Sequence, residues 1–247
     1  MRPELSVVVP AYNEAARLPA TVARLERYLA ERPHEILIVD DGSTDGTVEA
    51  AQAAAQAPLV VLRNEGNRGK GYSVRRGMLA ARGARRLMTD ADLSTPIEEL
   101  ARLEAGLDAG HDVAIGSRAL PGARIEVRQP WYRENMGRLF NVFVRALALP
   151  GLRDTQCGFK LFSARAAEAV FAAARLDGFS FDVEALFIAR QLGYGIAELP
   201  VVWRNDAATR VGLRGGFQAF PDLLRIRLNG WRGYYEPSAA AGGEPTL

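Results

Sequence analysis

The chain has 247 residues, 48% of them hydrophobic and 24% charged, a balance that suits an ordinary globular fold with a sizeable core. Its net charge of +2 argues against a dedicated nucleic-acid binder. The lone Cys157 excludes an intramolecular disulfide and any multi-cysteine metal centre, and it favours a reducing compartment.

The opening MRPELSVVVPAY lacks the features of a signal peptide. From Leu5 onward, short β-branched runs alternate with longer stretches of helical apolar spacing, the pattern of βαβ units. It predicts strands at Leu5–Pro10, Glu35–Asp40, Leu59–Arg63, Arg85–Asp90 and Asp112–Ser117. Helices are predicted between them at Glu14–Glu31, Thr44–Gln56, Gly69–Arg82 and Ile97–Leu107. Strands joined through helical crossovers pair mostly in parallel. A loop over Arg118–Pro130 then leads to a helix at Arg133–Ala148, a strand near Gly158–Phe162, helices at Ala164–Ala174 and Asp182–Leu192, and an extended stretch at Ile196–Trp203. Pro221 is expected to open an amphipathic helix, since proline fits a first helical turn. The most apolar stretch, Leu139–Leu149, carries Arg145 and falls short of the roughly 20 apolar residues that a membrane span needs, so no transmembrane helix is expected. The expected organisation is a domain over 1–212, an amphipathic segment over 213–235, and a disordered tail over 236–247.

In an open parallel sheet the ligand site lies beyond the carboxyl ends of the strands. Those ends are polar here: Pro10, Tyr12, Asn13 and Glu14 after the first strand, Asp40 to Ser43 after the second, Asp90 and Asp92 after the fourth, and Gly116 to Arg118 after the fifth. Asp90 and Asp92, two apart in a turn, can both reach one hard divalent cation such as Mg²⁺ or Mn²⁺, which would clamp a diphosphate. Alternatively Asp92, Ser94 and Thr95 cap the following helix. A carboxylate at Asp40 or Asp41 either shapes a turn or accepts a hydrogen bond from a nucleobase beside Tyr12. The segment from Asn67 to Gly71 reads as a phosphate-cradling loop carrying Lys70, or as a tight turn with a solvated lysine; it lacks the spacing of a P-loop.

Taken together, VVVPAYNE from Val7, DDGSTDGT from Asp40, NRGKG from Asn67 and DAD from Asp90 resemble the family-2 glycosyltransferases of the GT-A fold. DTQCGFKLF from Asp154 and FDVE from Phe181 are similar to the branch that glycosylates dolichyl phosphates. The resemblance implies an α/β, Rossmann-like and mostly parallel sheet flanked by helices. It implies that Pro10, Tyr12, Glu14 and Asp41, or its neighbour Asp40, hold the nucleoside, and that Lys70 belongs to the same donor site. Asp90 and Asp92 would hold the metal and diphosphate, and Arg118 and Arg133 would face the phosphate of the acceptor. Where mannose synthases of the family often carry glutamine, this chain has Ser94, so water is expected to complete the metal shell.

An inverting transfer to a hydroxyl needs a general base, for which Asp154 is the candidate. A phosphate acceptor is already largely dianionic at neutral pH and needs none; Asp154, Asp182 and Glu184 would then orient the sugar or the arginines. The segment from Arg204 to Tyr235 holds six arginines against Asp206 and Asp222, interleaved with large apolar residues. It suits either a membrane interface or a helix packed on the sheet with a basic outer face. The expectation is a cytoplasmic enzyme, peripheral at the membrane, moving a hexose from a nucleotide sugar, UDP-glucose favoured, to a polyprenyl phosphate. The alternatives are a soluble glycosyltransferase of the same fold acting on a sugar or small-molecule hydroxyl, and a non-catalytic nucleotide-sugar-binding protein.

Overall fold

The computed structural model describes residues 2–127, 131–205 and 213–236, without the side chains of 132, 133, 138 and 213–219. The first half alternates as its periodicity requires: β1 (Leu5–Ala11), α1 (Leu18–Leu29), β2 (His34–Asp40), α2 (Thr47–Ala54), β3 (Val60–Arg63), α3 (Lys70–Ala80) and β4 (Arg85–Thr89). A 3₁₀ turn at Ile97–Glu99 runs into α4 (Leu100–Asp108), followed by β5 (Val113–Ser117), β6 (Arg124–Val127) and α5 (Trp131–Leu147). The remainder is β7 (Phe159–Ser163), α6 (Ala164–Ala173), α7 (Phe181–Gln191), β8 (Ile196–Pro200), β9 (Val202–Arg204) and α8 (Leu213–Trp231).

Seven strands form one sheet in the order β3-β2-β1-β4-β7-β5-β8, parallel except for β7, which runs antiparallel to both β4 and β5. The inner strands are apolar on both faces because helices cover both. Side chains alternate accordingly. Val7, Val9, Ile36, Ile38 and Leu87 face Leu18, Val22, Leu25 and Leu100, while Val8, Leu37, Val39 and Met88 face Val74, Met78 and the α6–α8 layer. The reversal of β7 has a direct consequence. Its starting end, not its finishing end, lies at the carboxyl edge of the parallel strands, so the segment from Asp154 to Gly158 is delivered to the same edge as Asp90.

Three departures from the expected elements have physical causes. The first helix begins at Leu18 rather than Glu14, because Asn13 takes a left-handed φ of 55° and residues 13–15 are tied to the loop after β2. The stretch expected to be loop contains β6, which pairs with β9. Pro221 lies inside α8 instead of opening it. A proline there forfeits one helix hydrogen bond. Packing spans the break: Phe220 meets Phe140 and Phe143 edge-on at 5.5 and 5.3 Å, and Leu223 and Ile226 are buried in the core. No helix among the described residues is long and apolar enough to cross a membrane. The expected tail lies outside the described residues apart from Glu236.

The seat of α3 fixes where Lys70 stands. Gly77 lets that helix lie directly on β1 and β2; a Cβ there would fall 2.4 Å from Val8 Cγ1 and 2.8 Å from Val39 Cγ2. Gly77→Ala is therefore expected to destabilise the fold by about 1–3 kcal/mol through overpacking, measurable as a lower urea midpoint with an unchanged slope.

Candidate active site

The loops at the carboxyl edge are held by one another before any ligand arrives. Ser43 Oγ, Thr47 Oγ1 and Asp45 Oδ2 accept the backbone N–H groups of Asn13, Glu14 and Ala15, and Asn13 Oδ1 accepts that of Thr44. The polar run after β2 is thus chiefly scaffold for the Tyr12–Glu14 loop. Asp40 belongs to it: its Oδ1 accepts the Ser43 N–H at 3.1 Å, and the side chain does not line the cavity. Asp41 does line it, and its carboxylate organises the next loop by accepting from Asn64 Nδ2, Arg68 N and Gly69 N at 2.8–2.9 Å.

This arrangement changes the reading of the Asn67–Gly71 segment. Arg68 and Gly69 spend their N–H groups on Asp41, and Gly71 and Tyr72 donate theirs to the carbonyl of Asp177. Those four amides are committed within the protein. The loop offers a ligand the Lys70 side chain more than a backbone cradle.

A cavity of about 360 Å³ opens between these loops. Pro10, Tyr12, Glu14, Asp41, Lys70, Asp90 and Asp92 all line it, so the structure brings together seven residues from three separate strand ends and a helix start. Arg17, Asn67, Ser73 and Phe179 line it as well. Arg17 donates to Glu14 Oε2 at 2.9 Å and has a motif-adjacent position that could have flagged it. Phe179, half exposed, carried no signal, because its loop reaches the cavity only through the packing of α7 and α3.

Asp90 is pressed against the start of β7. A Cβ on Gly158 would fall 1.9 Å from Asp90 Oδ2, so only glycine leaves room for this carboxylate. The Lys70 ammonium stands 2.6 Å from Asp90 Oδ1. Burial lowers the lysine's proton affinity, but Asp90, Asp182 and Asp92 outweigh it and hold the ammonium charged. Asp92 Oδ1 accepts the Ser94 N–H at 2.9 Å, closing a turn around Leu93, which has a left-handed φ of 44°. Burial first, then the neighbouring Asp90 charge, pushes the Asp92 carboxyl above its usual range. Two crowded carboxylates with surplus negative charge fit a divalent cation. Among the described residues no cluster of three or more His, Cys, Asp or Glu converges, so diphosphate and water would complete the shell.

Arg118 and Asp154 lie beside the cavity rather than in its lining. Arg118 forks onto Asp154 through Nε at 2.7 Å and Nη2 at 2.9 Å, its backbone N–H joins them, and its guanidinium lies over the Trp203 ring. Burial works to raise the Asp154 carboxyl, yet the guanidinium outweighs it and holds the group below the usual carboxylate range. A buried, paired carboxylate of low proton affinity is unsuited to general-base work. Asp154 positions Arg118 instead. Arg133 lies in the first turn of α5, and its side chain lies outside the described residues. Further in, Lys160 donates to Asp182 and to the Cys157 carbonyl. Burial pushes the Cys157 thiol up to about 11, so it is an inert core group.

Two outcomes follow from this geometry. Gly158→Ala is expected to displace the Asp90 carboxylate from its seat against β7 and to cost about 1–3 kcal/mol of stability through overpacking, read by urea denaturation. Asp154→Asn leaves a half-buried guanidinium without its counter-charge and is expected to cost about 2 kcal/mol at neutral pH. Because the folded carboxyl lies below its unfolded value, its contribution is full above the unfolded pKa and is lost as pH falls through the folded one. Urea denaturation across the acid range should show the gap between variant and wild type closing as pH falls.

Residues 6–171 match the family described as Glycosyl transferase family 2. A dolichyl-phosphate beta-glucosyltransferase of Dictyostelium discoideum is 35% identical over 243 residues, covering 90% of this chain and 73% of the relative. The protein of the same description from Homo sapiens is 36% identical over 243 residues, covering 91% and 75%. Among solved structures, glucosyl-3-phosphoglycerate synthase from Mycobacterium tuberculosis, in complex with Mn²⁺, UDP-glucose and glycerol 3-phosphate, superposes with a TM-score of 0.66 at 20% identity, covering 91% of this chain and 80% of that one. The sheet order, the strand-end motifs and these likenesses agree: the chain is a glycosyltransferase of the GT-A fold and belongs to glycosyl transferase family 2.

Proposed function

We propose that this enzyme transfers glucose from UDP-glucose to a polyprenyl, dolichyl-type phosphate with inversion at the anomeric carbon. The observation that carries the reading is the convergence of Tyr12, Asp41, Lys70, Asp90 and Asp92 on one cavity, in a chain whose relatives are described as dolichyl-phosphate beta-glucosyltransferases. UDP-glucose and Mn²⁺ accompany a protein of the same fold.

In this reading Tyr12 and Pro10 pack beside the base, and Asp41, whose carboxylate holds the 64–69 loop, marks the nucleoside end. Asp90 and Asp92 would hold a Mg²⁺ or Mn²⁺ ion, which supplies positive charge against the departing diphosphate. Lys70 brings a second cation to the same oxygens. An oxygen of the acceptor phosphate attacks the anomeric carbon while the bond to UDP breaks; the products are UDP and polyprenyl-phosphate glucose. The acceptor needs no deprotonation, which fits a site whose Asp154 is tied to Arg118. With Nε and Nη2 taken by Asp154, Arg118 has Nη1 left to hold a phosphate oxygen. Arg133 is its proposed partner.

The surface supports a peripheral membrane position. On α8, Leu224, Leu228 and Trp231 are exposed on one face, Trp231 at 76%, with Arg227 stacked on its ring. On α5, Leu139, Val142, Phe143 and Leu147 are exposed too. Apolar side chains flanked by arginines suit the headgroup boundary of an anionic leaflet.

Radiolabelled transfer from UDP-glucose, with GDP-mannose alongside, to a short-chain polyprenyl phosphate tests the reaction. Label is expected in the lipid fraction from UDP-glucose only, abolished by a chelator and reduced at least about 100-fold in Asp92→Ala. Donor hydrolysis without lipid label would refute the acceptor. For the surface, Leu228→Glu with Trp231→Glu is expected to abolish sedimentation with anionic vesicles while UDP binding persists; unchanged sedimentation would remove α8 from the docking face.

A further inference from the structure

Asp90 Oδ1 is sealed from solvent by the protein around it. Its close neighbour is the Lys70 ammonium at 2.6 Å, a charge standing where a carboxylate would otherwise present an oxygen to a metal. The carboxylate has little freedom to turn away, because Gly158 already lies beneath it with no space for even one carbon.

We infer that Lys70 is an internal placeholder for the divalent cation: in the nucleotide-free protein its ammonium occupies Asp90, and metal and nucleotide diphosphate enter together because the diphosphate draws Lys70 away. The inference rests on the metal-dependent reading above and goes beyond it by giving the lysine a role in the order of binding.

The backbone that carries Lys70 is fixed, so exchange falls to the side chain. Asp41 holds the Gly69 N–H at 2.9 Å, and the Asp177 carbonyl accepts from Gly71 at 2.8 Å and Tyr72 at 3.2 Å. A Cβ on Gly69 or Gly71 would strike the carbonyls of Asp177 or Leu176 within 2.4 Å, so the helix start cannot slide. A cation arriving alone at Asp90 meets the ammonium at contact range, where like charges repel strongly in a partly buried site. A diphosphate in the cavity changes the balance, since its oxygens give the ammonium a new partner while Asp90 is released to the metal. Each ligand then strengthens the other, and the coupling is reciprocal.

Mn²⁺ binding, followed by the paramagnetic resonance signal of the free ion, tests this in wild type, Lys70→Met and Lys70→Gln, each with and without UDP. If Lys70 leaves Asp90 only about a tenth of the time, nucleotide-free wild type binds Mn²⁺ about tenfold more weakly than a protein lacking the ammonium. Both variants are therefore expected to bind Mn²⁺ alone about tenfold tighter, and to keep that gain in about 0.5 M KCl, where distant charges are screened. Wild type that binds Mn²⁺ with UDP, beside variants that bind Mn²⁺ alone no tighter than wild type, would overturn the placeholder and leave the metal-dependent reading standing. A gain that vanishes at high salt would overturn it as well, reducing Lys70 to a long-range charge. Absence of Mn²⁺ binding to wild type even with UDP would remove the metal-dependent reading and the placeholder with it.

Discussion

Asp90, Asp92, Asp154 and Asp182 stand at one edge of the sheet, Asp154 and Asp182 buried and Asp90 and Asp92 half-buried, and carboxylates so crowded are costly to hold without internal cations. Lys70, Lys160 and Arg118 supply them, each against a particular partner: Lys70 on Asp90, Lys160 on Asp182, Arg118 on Asp154. Of these four carboxylates only Asp92 is left without a cation of its own among the three. Such an arrangement suits the divalent cation of the proposed function, which would give Asp92 its counter-charge.

The antiparallel strand β7 makes this balance possible. Asp154 and Gly158 precede it and Lys160 lies within it, so one reversed strand brings a counter-ion's partner, a space for Asp90 and a buried cation to the same place. A fully parallel sheet would have carried these residues to the opposite edge. The arrangement also separates two kinds of aspartate. Asp154 has both oxygens committed and a depressed proton affinity, the marks of a positioning group, whereas Asp92 is held above its usual range and lines the cavity.

Much of this was legible in the sequence, for local reasons. The β-branched runs and helical spacings from Leu5 to Ser117 each report burial within one element, and parallel strands necessarily place their carboxyl ends together. That geometry puts Tyr12, Asp90 and Asp92 at one edge; Lys70 and a carboxylate at Asp40 or Asp41 join them in the sequence only through the family resemblance. What stayed hidden depends on contacts between distant segments. Whether Asp40 or Asp41 faces the cavity turns on which one the 64–69 loop closes over. Phe179 arrives there because α7 packs near α3, and Gly158 matters because β7 is inserted next to β4. Pro221 misled because a proline opens helices far more often than it interrupts them; here Phe220, Leu223 and Ile226 hold the helix across it.

Glu184, in the first turn of α7, accepts the N–H groups of Arg175 and Leu176 with one oxygen and the hydroxyl of Tyr235 with the other. The 175–177 segment it steadies is the one whose Asp177 carbonyl caps the helix bearing Lys70. Tyr235 is 1% exposed, just past the end of the helix that offers Leu228 and Trp231 to the outside. A tether thus runs from the outer helix, through a single phenol and a single buried carboxylate, to the lysine in the cavity. The cavity is mechanically continuous with the outer face of α8, and the shortest chain able to keep that continuity must extend through residue 235.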